Sequence, residues 1–185
     1  NSAPIPVAHM AGIRPNISAE QVNLIEIAPP KMVDALANNQ IDGFIVAEPY
    51  GAQAEFQKVG KVLILSRDIW KDHICCVLNV REEIIKNSPD AVQELVDNIV
   101  DTGKFIKQNP REAARLAADY ISQKPDIIEF IVTTPKDRIT FDNLYPTAGD
   151  FKATQDYMLK FGIAEKQVDL NQYIDDRFAK KIYRV

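Results

Sequence analysis

An apolar run ends on a carboxylate, a proline and a phenol at Ile41-Asp42-Gly43-Phe44-Ile45-Val46-Ala47-Glu48-Pro49-Tyr50. A buried strand that passes straight into a helix here would put Glu48 and Tyr50 at a crevice. Ligands of open α/β sheets sit beyond the carboxyl ends of strands, where helix N-termini offer unpaired N–H groups suited to an anion. Glu48 is compatible with an anion only if it is protonated, accepts a hydrogen bond from the ligand or pairs with a cation. The plainer reading is a first-turn glutamate favoured by the helix dipole. Trp70 and His73 fall on an irregular stretch between two apolar segments, and an imidazole there can donate to an oxyanion; alternatively Trp70 packs and His73 is merely exposed. The candidate ligand-binding residues are therefore Glu48, Tyr50, Trp70 and His73.

Other chemistries have no residues to carry them. The sequence has no Ser-His-Asp arrangement, HExxH, CxxC, P-loop or GxGxxG, and two histidines with two adjacent cysteines do not make a spaced metal site. No catalytic residue, metal or cofactor is expected. Cys75 and Cys76 lie in the apolar stretch Ile74 to Leu78, where strand neighbours point to opposite faces, so they read as small buried hydrophobes rather than a disulfide. The net charge of -4 is scattered, without a basic stripe for phosphates, which argues against nucleic acid. Apolar runs reach about five residues, against roughly 20 for a membrane span. At 185 residues with 46% hydrophobic side chains, the chain can bury one large core or two small ones.

The elements that must position the candidate residues alternate in the first third. Val22 to Ile27, Gly43 to Ala47, Val62 to Leu65 and Ile74 to Val80 read as strands. Pro29 and Pro30 open a helix with Met32, Val33 and Leu36 on one stripe, stopped by Asn38 and Asn39, and Pro49 starts another that closes at Gly60. This order predicts a mainly parallel sheet. From Ser88 the pattern is helical: about five turns carrying Val92, Leu95, Val96, Ile99 and Ile106, then a helix from Asn109-Pro110 with Ala113, Leu116, Ala117 and Tyr120 inward. A third runs near Asp126 to Val132, and a fourth is capped by Asp150 and ended by Gly162. These helices follow Arg81 without a sheet of their own.

Several of these segments resemble the nitrate, sulfonate, taurine and bicarbonate binding proteins of ABC transporters, the NMT1/SsuA-like family. Glu26 to Leu36 is similar to the family's strand and Pro-started helix, and Ile41 to Tyr50 to its signature of Ile-Asp-Gly-Phe followed by Glu-Pro-aromatic. Val77 to Pro89, Asn109 to Ala114, Thr134 to Phe141 with Leu144 and Pro146, and Asp169 to Phe178 extend the likeness to roughly residues 20 to 185. Ile69-Trp70-Lys71-Asp72-His73 looks like the nitrate and bicarbonate branch, although Ile74-Cys75-Cys76-Val77 departs from the Pro-Glu-Lys-Val that follows there.

The resemblance implies an α/β, type II periplasmic-binding-protein-like fold of two lobes with lobe one incomplete. Residues 1–80 would form lobe two, and residues 81–185 the helical C-terminal part of lobe one. It implies a solute-binding component of an ABC uptake system that holds a small polar or anionic solute in an interlobe cleft and catalyses nothing. Its partners would be the solute and an ABC transporter permease, in a periplasmic or extracytoplasmic setting, with a lipid anchor in the full-length protein and a homo-oligomer as further expectations. Asn1 to Arg14, including His9, reads as the remnant of a trimmed or incomplete chain and carries no assigned site. Two rivals are a thiamine-pyrimidine-synthase-like enzyme and the ligand-sensing domain of a regulator.

Overall fold

The computed structural model describes residues 22–183, so the expectation for Asn1 to Arg14 lies outside the described residues. In chain order the α-helices are α1 (Pro29–Ala37), α2 (Tyr50–Phe56), α3 (Ser66–Ile69), α4 (Glu82–Asn87) and α5 (Pro89–Gln108). They continue with α6 (Pro110–Ile121), α7 (Pro125–Thr133), α8 (Ala148–Lys160) and α9 (Arg177–Tyr183), with a short 3₁₀ turn at Leu170–Gln172 before α9. Proline starts α1, α5, α6 and α7, where its missing N–H would have no helical partner and its fixed φ suits the first turn.

The strands expected at Val22 to Ile27, Gly43 to Ala47, Val62 to Leu65 and Ile74 to Val80 are not formed among the described residues. These stretches are non-helical connections whose apolar side chains lie partly in solvent, with Leu24 74% and Leu63 85% exposed. A short apolar segment becomes a strand only when a neighbour supplies the ladder and a packed face supplies cover. The described residues therefore form helices and extended connections in place of the expected sheet. No described helix is long and apolar enough to cross a membrane.

The chain divides into two compact units. The first gathers the described residues up to Asp72 together with Pro110–Ile139, and the second His73–Asn109 with the segment from Thr140 onward. The single boundary expected after Val80 differs from this division, because α6 and α7 pack into the first unit through α2.

In the first unit α2 packs against both α1 and α7, and α6 pairs with α7. Ala52 of α2 is wholly buried against Ile127 and Ile131 of α7, with Phe130 and Ile139 at the margin. Gln123 Nε2 donates to Gln53 Oε1 at 3.1 Å, tying the turn between α6 and α7 to α2. The inward face of α6 differs in part from the expected one: Ala114 is buried and Ala113 and Ala117 are half-buried, whereas Leu116 is exposed and Tyr120 is 89% exposed. The small side chains of α6 allow a close approach to the isoleucines of α7, and that contact turns the larger residues outward.

In the second unit α5 packs against α4 and α9, burying Val92 and Val100 of α5 and Phe178 of α9. Leu95 and Ile99, expected on the covered stripe of α5, are exposed among the described residues. Gln93 Nε2 donates to the Phe178 carbonyl at 3.1 Å, holding α9 to α5. The cap of α8 is Thr147 rather than Asp150: Thr147 Oγ1 accepts from the Asp150 N–H at 3.2 Å, and Asp150 Oδ2 accepts from the Thr147 N–H at 2.9 Å. This reciprocal pair satisfies two otherwise open donors. Gly162 ends α8 with φ +67, as its position predicts.

Candidate functional site

Glu48 stands at the turn into α2, followed by a cis peptide bond to Pro49. Its Oε2 accepts from the Ala52 N–H at 2.9 Å, which caps the first turn of α2 from one residue before Pro49. Its Oε1 accepts from Arg138 Nε at 2.6 Å, and Arg138 Nη2 lies 2.6 Å from the same oxygen without the angle of a second hydrogen bond. Arg138 Nη1 donates to Glu55 Oε2 at 2.9 Å. The Arg138 side chain is 2% exposed and its guanidinium lies over the Phe130 ring, 5.2 Å from the centroid. A buried cation is thus held by two carboxylates and an aromatic face, the conditions under which burial of charge is tolerable.

Gly51 makes this clamp possible. A Cβ built on it would stand 3.1 Å from Glu48 Oε1 and 3.5 Å from Arg138 Nη2. Glycine is unfavourable inside a helix, so its place in α2 is explained by the close approach of the carboxylate.

The loop that carries Arg138 is also gripped from α3. Arg67 Nη1 donates to the Lys136 carbonyl at 3.0 Å and to the Asp137 carbonyl. In that loop the Thr134–Pro135 bond is cis and Asp137 has φ 64. Trp70 follows directly as the residue closing α3, its N–H donating to the Ser66 carbonyl at 2.9 Å. Within the first unit, then, the segment of Trp70 reaches the Glu48 turn through Arg67, the 134–138 loop and Arg138.

Of the expected site residues, Glu48, Tyr50 and Trp70 lie in the first unit and His73 is the first residue of the second. Tyr50 opens α2 and is half-buried. Trp70 and His73 are half-buried and engaged in interactions of their own. Both oxygens of Glu48 have protein partners. The residues missed in sequence were Arg138, Glu55 and Arg67. A partial signal existed: Glu55 falls in the helix that Pro49 opens, seven residues after Glu48, and Arg138 stands next to an apolar Ile139. A shallow hollow of about 670 Å³ lies elsewhere, at the turn between α6 and α7, lined by Arg115, Asp119 and Lys124 among others. It includes none of the expected site residues, and its open rim of surface charges makes it a poorer candidate than the Glu48 turn.

Comparison with known proteins places the sequence. A model of the NMT1-like family matches residues 9–122, a stretch that contains the Glu48 turn, α3 and Trp70. The chain belongs to the NMT1-like family. Among curated relatives, the nitrate/nitrite binding protein NrtA of Nostoc sp. is 31% identical over 110 residues, which is 58% of this chain and 24% of that protein. The nitrate import ATP-binding protein NrtC of Synechocystis sp. is 35% identical over 86 residues, 46% of this chain and 13% of that protein. The bicarbonate transport ATP-binding protein CmpC of Synechococcus elongatus is 29% identical over 132 residues, 69% of this chain and 20% of that protein. The NMT1-like chain thus spans a quarter or less of these relatives.

Among solved structures, the ligand binding component of an ABC-type import system from Staphylococcus aureus, determined with zinc bound, superposes with a TM-score of 0.76. The superposition covers 94% of this chain and 58% of that one at 21% identity, a likeness of fold.

Proposed function

We propose that this chain is part of the solute-binding component of an ABC uptake system, that its fold is that of a type II periplasmic binding protein, and that its solute is a small oxyanion of the nitrate or bicarbonate kind. The likeness to NrtA, a nitrate/nitrite binding protein, supports the class. The observation that carries the anion reading is the pairing of Glu48 with Arg138. A free carboxylate at the mouth of the Ala47–Tyr50 turn would repel an anion, whereas here both Glu48 oxygens are engaged, by the Ala52 N–H and by a guanidinium that Glu48 shares with Glu55. Glu48 then acts as a positioning residue, and the contacts to solute fall to Tyr50, Trp70 and His73.

In this reading the protein binds and releases its solute unchanged and delivers it to a membrane permease from an extracytoplasmic compartment. Lobe closure on the solute would be the signal the permease reads. Calorimetric titration of the whole gene product with nitrate, bicarbonate and an alkanesulfonate tests it. Saturable heat with one of these anions, weakened by Tyr50→Phe, Trp70→Ala or His73→Ala, is expected. Absence of heat with all three, or affinity indifferent to all three substitutions, would sink the assignment.

A second reading, that of a ligand-sensing domain, is favoured by the likeness to short stretches of NrtC and CmpC, both ATP-binding proteins. There the same module would report solute to an attached domain instead of carrying it. An ATP-binding domain encoded in the same reading frame would decide for this alternative.

A further inference from the structure

Cys75 and Cys76 stand outside the site described above and belong to the second unit. Both are exposed and free, contrary to the expectation of buried hydrophobes on opposite faces of a strand. The stretch from Ile74 to Val80 forms no ladder among the described residues, so its backbone is released from the regular alternation that would separate the two sulfurs. Instead the Cys76 thiol donates to Cys75 Sγ across 3.7 Å.

Two geometric facts decide what such a pair can do. The cis bonds among the described residues are Glu48–Pro49 and Thr134–Pro135, so the Cys75–Cys76 link is trans. Its Cα atoms are then about 3.8 Å apart, below the roughly 4.4 Å at which disulfides begin, and the pair is poorly placed to close on itself. Metal chelation has the opposite requirement. An ion bonded at about 2.3 Å to two sulfurs separated by this 3.7 Å subtends about 107°, close to the tetrahedral angle of roughly 109°.

We propose that Cys75 and Cys76 form a bidentate binding site for a thiophilic divalent d¹⁰ cation such as Zn(II) or Cd(II). Two metal–sulfur bonds form and two S–H bonds break, the two protons pass to solvent, and no electron changes hands. The remaining tetrahedral positions are filled by water or small anions. Exposure leaves the pair open to ions from solution, and the segment has no ladder hydrogen bonds to lose when the sulfurs adjust. The site is independent of the oxyanion reading.

The test uses the full chain, reduced and freed of metal, titrated with Cd(II) and then competed with Zn(II). One Cd(II) per chain is expected, with an ultraviolet thiolate-to-metal charge-transfer band, and both thiols become protected from a disulfide reagent. Cys75→Ser and Cys76→Ser each cut the band to about half its intensity or less at saturation and weaken binding by about tenfold or more. Both side chains are exposed, so the variants keep the circular dichroism of the parent. Absence of the band overturns the proposal, as does equal affinity in Cys76→Ser or one ion shared between two chains.

Discussion

Arg138 and Glu48 are ninety residues apart in sequence and 2.6 Å apart in space, the guanidinium Nε donating to the carboxylate from a side chain that is 2% exposed. This pair joins the loop after α7 to the turn before α2 and fixes the segment that carries Tyr50.

Removing one partner strands the other. Arg138→Met leaves Glu48 and Glu55 without their cation and is expected to cost about 3–5 kcal/mol, the range for breaking a buried pair. Glu48→Gln should cost less, because Glu55 still faces the guanidinium, and Glu55→Gln least, since its side chain is 29% exposed. Urea unfolding of the three variants measures the order; Arg138→Met no less stable than the parent would show the clamp to be dispensable.

Gly51→Ala tests the tight approach. Helix propensity alone would favour alanine by roughly 1 kcal/mol. The new Cβ meets a carboxylate held in place by Arg138, which cannot yield without breaking the clamp, so a net loss of stability is expected. In an Arg138→Met background that penalty should shrink or reverse, and the coupling appears in a double-mutant cycle. Additive effects would show that the two positions do not communicate.

Gly162→Ala has a different cause. Nothing lies within 4 Å of the added Cβ, and the backbone at φ +67 alone resists it. A loss of about 1–2 kcal/mol is expected, with α8 fraying at its last turn. Amide exchange that is faster at Tyr157 to Phe161, but unchanged elsewhere, checks the locality.

Asp176 is a carboxylate of the second unit whose titration the fold shifts. Its carboxyl is held below the ordinary carboxylate range by a hydrogen bond from Lys180 first, and then by the Tyr145 hydroxyl at 3.0 Å. A depressed folded-state value means that the contribution is complete above the unfolded value of about 3.9 and is lost as pH falls through the lower folded one. NMR titration should give a midpoint below that of an unstructured peptide. Lys180→Met should raise it more than Tyr145→Phe, and a parent midpoint at or above the usual value would refute the arrangement.

Much of the helical architecture was legible because its signals are local. Pro29, Pro89 and Pro110 mark helix starts and Gly162 marks an end through the φ angles those residues allow, whatever the rest of the chain does. The likeness of Ile41 to Tyr50 to the NMT1/SsuA-like binding proteins was legible for the same reason, since a motif is read along the chain.

Tertiary structure decided what depends on distant partners. Short apolar runs at Val22 to Ile27 and Ile74 to Val80 announce strands, yet a strand exists only where another segment completes its hydrogen bonds, and none does so among the described residues. The same absence of a ladder let Cys75 and Cys76 turn their sulfurs to one side. The partner of Glu48 could not be read from its neighbourhood, because Arg138 reaches it only once α7 has packed on α2. Local sterics are written in adjacent residues, whereas charge compensation and burial belong to the closed chain.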